Sequence, residues 1–369
     1  MKAPRLLASA LALAALIGTS LGSARAADGP TVHLYNWYDF IAPETPGEFQ
    51  QESGITPVLD VFDNAEVMQS KLMAGRTGYD VVVISGDVLP NLIKAGVLQE
   101  LDRSRLPNWP HLDPEVLATL QKNDPGNRYG APYLWGTTGI GYDVDKVHEL
   151  FGDQAPVNTW DLIFKEENIA KLSQCGVAML DSPTEIVSIA LHYLGLPANS
   201  QNPDDYRKAE ALLLKIRPYV RYFDSSKFIT DLANGNTCAV VGWEGGVFDA
   251  RLTAERAGNG RKIAYSIPRE GAPVWVESFV LLKDAPHPEQ GLTFIDYMLR
   301  PQVVAKSSDY VGYPNANRDA TMLVNAKLRD DPGAYPSKEV MATLFPLEPL
   351  PLKTERVRTR VWSKVKTGT

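Results

Sequence analysis

Four tryptophans in this chain are each followed, one or two positions on, by a carboxylate. Trp37 precedes Asp39 by two, Trp243 precedes Glu244 by one, Trp275 precedes Glu277 by two, and Trp160 abuts Asp161. An indole face attracts an organic cation through its quadrupole, and a carboxylate anchors an ammonium by a charge-assisted hydrogen bond. Three of the four pairs stand where an apolar strand pattern stops, which is where open α/β sheets place ligands. The chemistry implied is capture of a small cation, an amine. Trp160-Asp161 has a structural reading instead: Thr159 caps a helix and Asp161 favours its N-terminus.

Signatures of bond-making chemistry are missing. The five histidines (His33, His111, His148, His192, His287) are scattered, with no H-E-x-x-H and no other metal-ligand spacing. No G-x-S-x-G occurs, so Ser85 at a strand end reads as a ligand or cap hydroxyl rather than a nucleophile. Asp60 and Asp63 read as turn and cap residues. Gly136, Gly139 and Gly141 in YLWGTTGIGYD lack a following G-K-[ST] and a helix pattern, so they describe a bent strand passing between two units rather than a phosphate loop. No catalytic residue, metal or cofactor is expected.

The first residues carry Lys2 and Arg5, an apolar run over 6–17, and Ala24-Arg25-Ala26, the pattern of a secretory signal peptide cleaved before Ala27. No cysteine stands at that point to carry a lipid. The run is short for a membrane span. Removing residues 1–26 takes away Lys2, Arg5 and Arg25, leaving 34 basic against 44 acidic residues, a net of −10. Such a balance opposes nucleic-acid and anionic-membrane partners. Roughly 340 mature residues exceed one ordinary core, so two units are expected. The two cysteines, Cys175 and Cys238, read in an exported chain as one structural disulfide, although sequence does not bring the sulfurs together.

The elements that must position the tryptophan–acid pairs alternate strand and helix. Strands are expected at 31–36, 57–62 and 79–84, with helices at 46–53, 65–74 (Asn64 as N-cap) and up to Gly96. A second series places strands at 175–180, 237–242, 263–266 and 277–282. Its helices fall at 184–194, 204–216, 244–257, 289–299 and 302–308. This alternation implies parallel sheets.

Several long segments carry a resemblance: YNWYDFIAPET (35–45), DVFDNAEVMQSKLMAG (60–75), YDVVV (79–83), PYLWGTTGIGYDVDKV (132–147), DLANGNTCAVVGW (231–243), SIPREGA (266–272), NAN (315–317) and RVRTRVWSKVKTG (356–368). Together they resemble the bacterial periplasmic polyamine-binding proteins that supply putrescine or spermidine to ABC transporters, over almost the whole mature chain. The resemblance implies a type II periplasmic binding fold: two α/β lobes with parallel-type sheets, a hinge, and a ligand cleft between them. Lobe 1 is expected over 27–134 and 255–310, lobe 2 over 135–254 and 311–369. It further implies a cleft holding Trp37, Asp39, Ser85, Glu185, Ser225, Trp243, Trp275, Glu277 and Tyr313, and a Cys175–Cys238 disulfide. The expected partners are a small amine and an inner-membrane ABC permease, with the protein itself a periplasmic monomer. A binder of another organic cation and an amine sensor stay open, as does, more remotely, an exported amine-processing enzyme.

The chain departs from the family pattern at the cleft. Tyr38 stands where the family has Ser or Thr, Phe40 where it has Tyr, Trp275 where it has Phe, and Glu277 where it has Asp. Gly246 replaces an Asp. The expectation is weakened putrescine binding or another preferred amine, with Glu244, two positions earlier, as a candidate substitute acid.

Overall fold

A computed structural model describes residues 29–63 and 65–369. The expected signal peptide and the N-cap at Asn64 lie outside the described residues. The strands are β1 (Thr31–Trp37), β2 (Thr56–Phe62), β3 (Val81–Ser85), β4 (Leu98–Gln99), β5 (Gly130–Asp143), β6 (Val177–Met179), β7 (Val220–Phe223), β8 (Ala239–Trp243), β9 (Ile263–Ser266), β10 (Pro273–Leu282) and β11 (Phe345–Pro346). Their order is β2-β1-β3-β10-β5-β8-β6-β7, with β4 and β11 on β10 and β9 on β5.

The apolar run VVVIS forms β3 with four residues fully covered, as a strand with helices on both faces must be. Gly54, at φ 71°, closes the helix Thr45–Ser53 in the left-handed conformation that glycine adopts without a Cβ penalty. The sheets are mixed rather than parallel throughout. β1 pairs in parallel with β2 and β3, but β10 runs antiparallel to β3 and β5, and β5 antiparallel to β8. A strand that returns from the other lobe enters in the opposite sense, which the local β-α alternation does not disclose.

Two hydrophobic cores make two lobes. Val32, Phe49, Val82, Leu92, Phe279 and Phe294 lie in the first. Trp160, Ile189, Leu213, Phe228, Val240 and Trp362 lie in the second. β5 crosses between them: residues 130–137 pair with β10, and residues 138–143 pair with β8 and β9. The bent-strand reading of its glycines holds. A Cβ on Gly136 would stand 2.5 Å from the Trp275 ring, and one on Gly139 2.5 Å from the Ser266 carbonyl.

The cores divide the chain at other points than expected. Ala254, Ile263 and Tyr265 belong to the second core, because β9 is hydrogen-bonded to the far end of β5. The second crossing therefore falls near residue 273 instead of 255. Ala316, Ala320, Val324 and Leu328 belong to the first core, held by bridges of Asn315 to Leu134 and Asn317 to Leu112. The last crossing falls beyond residue 334 instead of at 311. The helix Leu352–Thr367 then returns to the second lobe through Val361, Trp362 and Val365.

Cys175 and Cys238 form a disulfide with Cα atoms 5.5 Å apart. It ties the segment before β6 to the start of β8. Closing a loop of 63 residues contributes about 4 kcal/mol in the chain-entropy picture.

Candidate functional site

Three registers among four strands assemble the site. Ser85, the last residue of β3, lies opposite Glu277 on β10. Trp275 lies opposite Gly136 on β5, and Trp243, at the end of β8, lies opposite Thr138, two residues further along β5. The crossing strand thus sets a tryptophan from each lobe on neighbouring same-side positions, since strand side chains repeat every two residues. Gly136 leaves room for the Trp275 indole, which meets Tyr313 edge-on at a centroid distance of 5.0 Å.

Between the lobes is a cavity of about 360 Å³. Nine of the expected residues line it: Trp37, Tyr38, Phe40, Ser85, Glu185, Trp243, Trp275, Glu277 and Tyr313. Tyr38 is 72% exposed and stands at the rim. Each lobe contributes a matched pair. In the first, the Trp37 Nε1–H donates to Glu277 Oε2 at 2.9 Å. In the second, the Trp243 Nε1–H donates to Glu185 Oε1 at 3.1 Å. Trp37 and Glu277 are 240 positions apart in sequence. Both carboxyls are buried, and Glu185 Oε2 has no hydrogen-bond partner.

Burial dominates their electrostatics. Loss of hydration pushes Glu185 up to about 7 and Glu277 up to about 8, against the opposing pull of the indole donors, and the negative charge of Asp87 adds to both shifts. A cation entering this space meets two carboxyls whose charged forms lack the positive partner that burial makes valuable.

Four expected residues stand elsewhere. β1 ends at Trp37, and Asp39 takes φ 57°, so the two-residue alternation stops there; its carboxylate is exposed and accepts from Tyr310 Oη at 2.6 Å. Ser225 Oγ accepts from the Asp181 backbone N–H at 3.1 Å. Glu244 follows Trp243 directly and starts the helix Glu244–Ala257. It is buried off the cavity with neither oxygen hydrogen-bonded, and burial followed by the Asp331 charge drives its carboxyl well above the ordinary range. Gly246 faces Phe228, where a Cβ would stand 2.5 Å from the ring. Trp160 is core, fully covered, with its indole N–H on the Gly271 carbonyl at 2.8 Å.

Sequence reading also missed residues that line the cavity, among them Asp87, Asn123, Ser182, Thr184 and Leu347. Asp87 carried a readable signal, lying two positions beyond Ser85 at the same strand end. Asn123 and Leu347 carried none. They meet only in the fold, where Asn123 Nδ2 donates to the Leu347 carbonyl at 3.2 Å.

Residues 47–335 match the family described as bacterial extracellular solute-binding protein. The chain belongs to this family. The solute-binding protein is 67% identical over 361 residues to a putrescine/agmatine-binding protein of Pseudomonas aeruginosa, covering 98% of each chain. It is 50% identical to the putrescine-binding periplasmic protein PotF of Escherichia coli, covering 98% of this chain and 97% of the relative. The fold matches the spermidine/putrescine ABC transporter substrate-binding protein PotD of Streptococcus pneumoniae with a TM-score of 0.80 at 27% identity, covering 92% of this chain and 99% of that one. These relatives are binding proteins, in agreement with the expectation of capture without turnover. No helix among the described residues is long and apolar enough to cross a membrane.

The position of Gly246 changes what a substitution there does. An aspartate must displace the Phe228 ring, itself fully buried. Overpacking of this kind costs about 1–3 kcal/mol. Gly246→Asp is therefore expected to lower the midpoint of thermal unfolding of the solute-binding protein and to leave putrescine binding no tighter. Tighter binding at an unchanged midpoint would show that the side chain reaches the cleft after all.

Proposed function

We propose that this solute-binding protein captures a linear aliphatic amine with a cationic group at each end, of the putrescine or agmatine kind, and delivers it to an ABC import permease. The observation that carries the reading is the pairing of Glu277 with Trp37 and of Glu185 with Trp243, one pair from each lobe, around an aromatic cavity. Each carboxylate meets one cationic end. The indoles hold the carboxylates in place, and Trp275, Tyr313 and Phe40 cover the methylene chain. Because the two acids belong to different lobes, a dication bridges them and favours the closed arrangement. The names of the relatives support both the amine and the periplasmic setting. In this reading residues 1–26 direct export and are removed, and the mature protein works as a monomer.

Calorimetry with putrescine, cadaverine, agmatine, spermidine, spermine and butylamine tests the reading. A charged hydrogen bond contributes about 1.5–3 kcal/mol, so butylamine, which lacks the second cation, is expected to bind roughly 10- to 150-fold more weakly than putrescine. Equal affinity for butylamine and putrescine would sink the two-ended reading.

A further inference from the structure

Arg358 is a buried cation outside the cavity lining, on the C-terminal helix Leu352–Thr367. Its Nη2–H group donates to the Glu355 oxygens at 2.8 and 2.7 Å. The Nε–H and Nη1–H groups are buried and have no hydrogen-bond partner. A guanidinium out of water is costly unless anions stand nearby.

The register of two helices shows which anion is in reach. The C-terminal helix runs antiparallel to the helix Pro183–Tyr193. Ahead of the C-terminal helix, the Glu348 N–H donates to Asn199 Oδ1 at 3.1 Å, past the far end of its neighbour. Towards its own end, the Trp362 Nε1–H donates to Asp181 Oδ1 at 2.8 Å and Lys366 Nζ to Asp181 Oδ2 at 3.0 Å, just before the neighbour begins. One turn back from Trp362 is Arg358, and one turn on from Asp181 is Glu185. The antiparallel register therefore sets Arg358 against the first turn that carries the second lobe's acid. Glu185 Oε2 is itself without a hydrogen-bond partner.

The electrostatics agree. Burial raises the Glu185 carboxyl and Asp87 raises it further, while the Trp243 indole and the Arg358 charge oppose them. Among the described residues no such cation acts on Glu277 in the other lobe, which stands higher, at about 8 against about 7. The other ionisable groups around Arg358 are Glu355 on its own helix and Asp205 and Tyr206 on the helix Pro203–Ile216. Asp205 is held by the Ser200 Oγ–H, and Asp181 by Trp362 and Lys366.

We propose that Arg358 is a positioning residue for the second lobe's anchor: from behind the first turn, its fixed charge keeps Glu185 anionic and ready for an ammonium. The proposal rests on the amine-binding reading above, in which Glu185 is that anchor.

Calorimetry with putrescine at pH 6 and pH 9 tests it on the full protein. The ligand is charged at both, so the ratio of the two affinities reports how far the anchors must ionise on binding. A unit charge one helix-packing distance away, about 8–10 Å in an effective dielectric of about 20, changes that ratio by up to roughly 20-fold. Arg358→Met, which replaces a buried ion by a long apolar chain, is expected to raise the pH 9 to pH 6 ratio several-fold or more. Arg358→Lys is expected to keep the wild-type ratio. In a Glu185→Gln background, Arg358→Met is expected to leave the ratio where it is. Arg358→Gln, with its fold checked by circular dichroism, serves as the second neutral variant. A ratio unmoved in both neutral variants, with putrescine still bound, overturns the proposal and leaves the amine reading standing. An increase that persists in the Glu185→Gln background also overturns it, because the charge then acts elsewhere. Absence of binding by every amine overturns both readings together.

Discussion

Putrescine binding is expected to release protons at neutral pH and to tighten steeply as pH rises. In the unliganded cleft, Glu185 titrates near 7 and Glu277 near 8 because burial disfavours their charged forms. A bound dication reverses that preference and ionises both. At pH 7 this corresponds to release of roughly one to one and a half protons per ligand, given half-protonated and mostly protonated groups. Between pH 6 and pH 8 the affinity is expected to rise on the order of a hundredfold or more, and then to level off while the ligand amines, with pKa values near 10, remain charged.

Unliganded stability moves in the opposite direction. Both carboxyls have folded-state values above the ordinary glutamate value of 4.5, so the native state holds more protons than the unfolded chain over the intervening range. Their stabilisation is complete below about 4.5 and is lost as pH rises through 7 and 8. The thermal shift produced by putrescine should therefore be small at pH 5.5 and large at pH 8. Calorimetry in buffers of different ionisation enthalpy measures the proton release directly. A binding enthalpy independent of the buffer at pH 7 would contradict the account.

Neutralising the two acids separately and together should have the largest mutational effect. Glu185→Gln and Glu277→Gln each keep an oxygen for the neighbouring indole and remove the charge that meets an ammonium. Each is expected to weaken putrescine by roughly 10- to 150-fold. The two side chains come from opposite lobes, so their effects should nearly add, giving a loss of roughly a hundredfold to ten-thousandfold in the double variant. Each substitution should also reduce the proton release by the share of the missing acid. A monoamine occupies one end, so butylamine should respond to one substitution and ignore the other, which identifies the end it prefers. Wild-type putrescine affinity in both single variants would show that these carboxyls are not the anchors.

The strand-end tryptophans and Glu277 could be read from linear signals, whereas Glu185 and Tyr313 were implied only by the family resemblance. Trp275 and Glu277 are two apart on an unbroken strand, so they share a face, and both reach the cavity. The same rule fails for Trp37 and Asp39. The strand ends at Trp37, and the positive φ at Asp39 turns the carboxylate to the surface. It fails differently for Trp243 and Glu244, adjacent residues at a strand-to-helix junction, where consecutive side chains leave in opposite directions. A tryptophan–acid spacing alone does not separate these cases, because the backbone between the two residues decides them.

The sequence by itself determined the strand–helix alternation, the two-unit size and the absence of catalytic spacing. These depend on periodicity, composition and residue type, all of which are local properties. Only the tertiary structure decided which acid belongs to which tryptophan, where the chain crosses between lobes, and that Asp87, Asn123 and Leu347 share one cavity. Those outcomes depend on the register of β10 against β3 and β5. A one-residue slip there would reverse every side chain on the strand, and register is set by packing against partners far away in sequence.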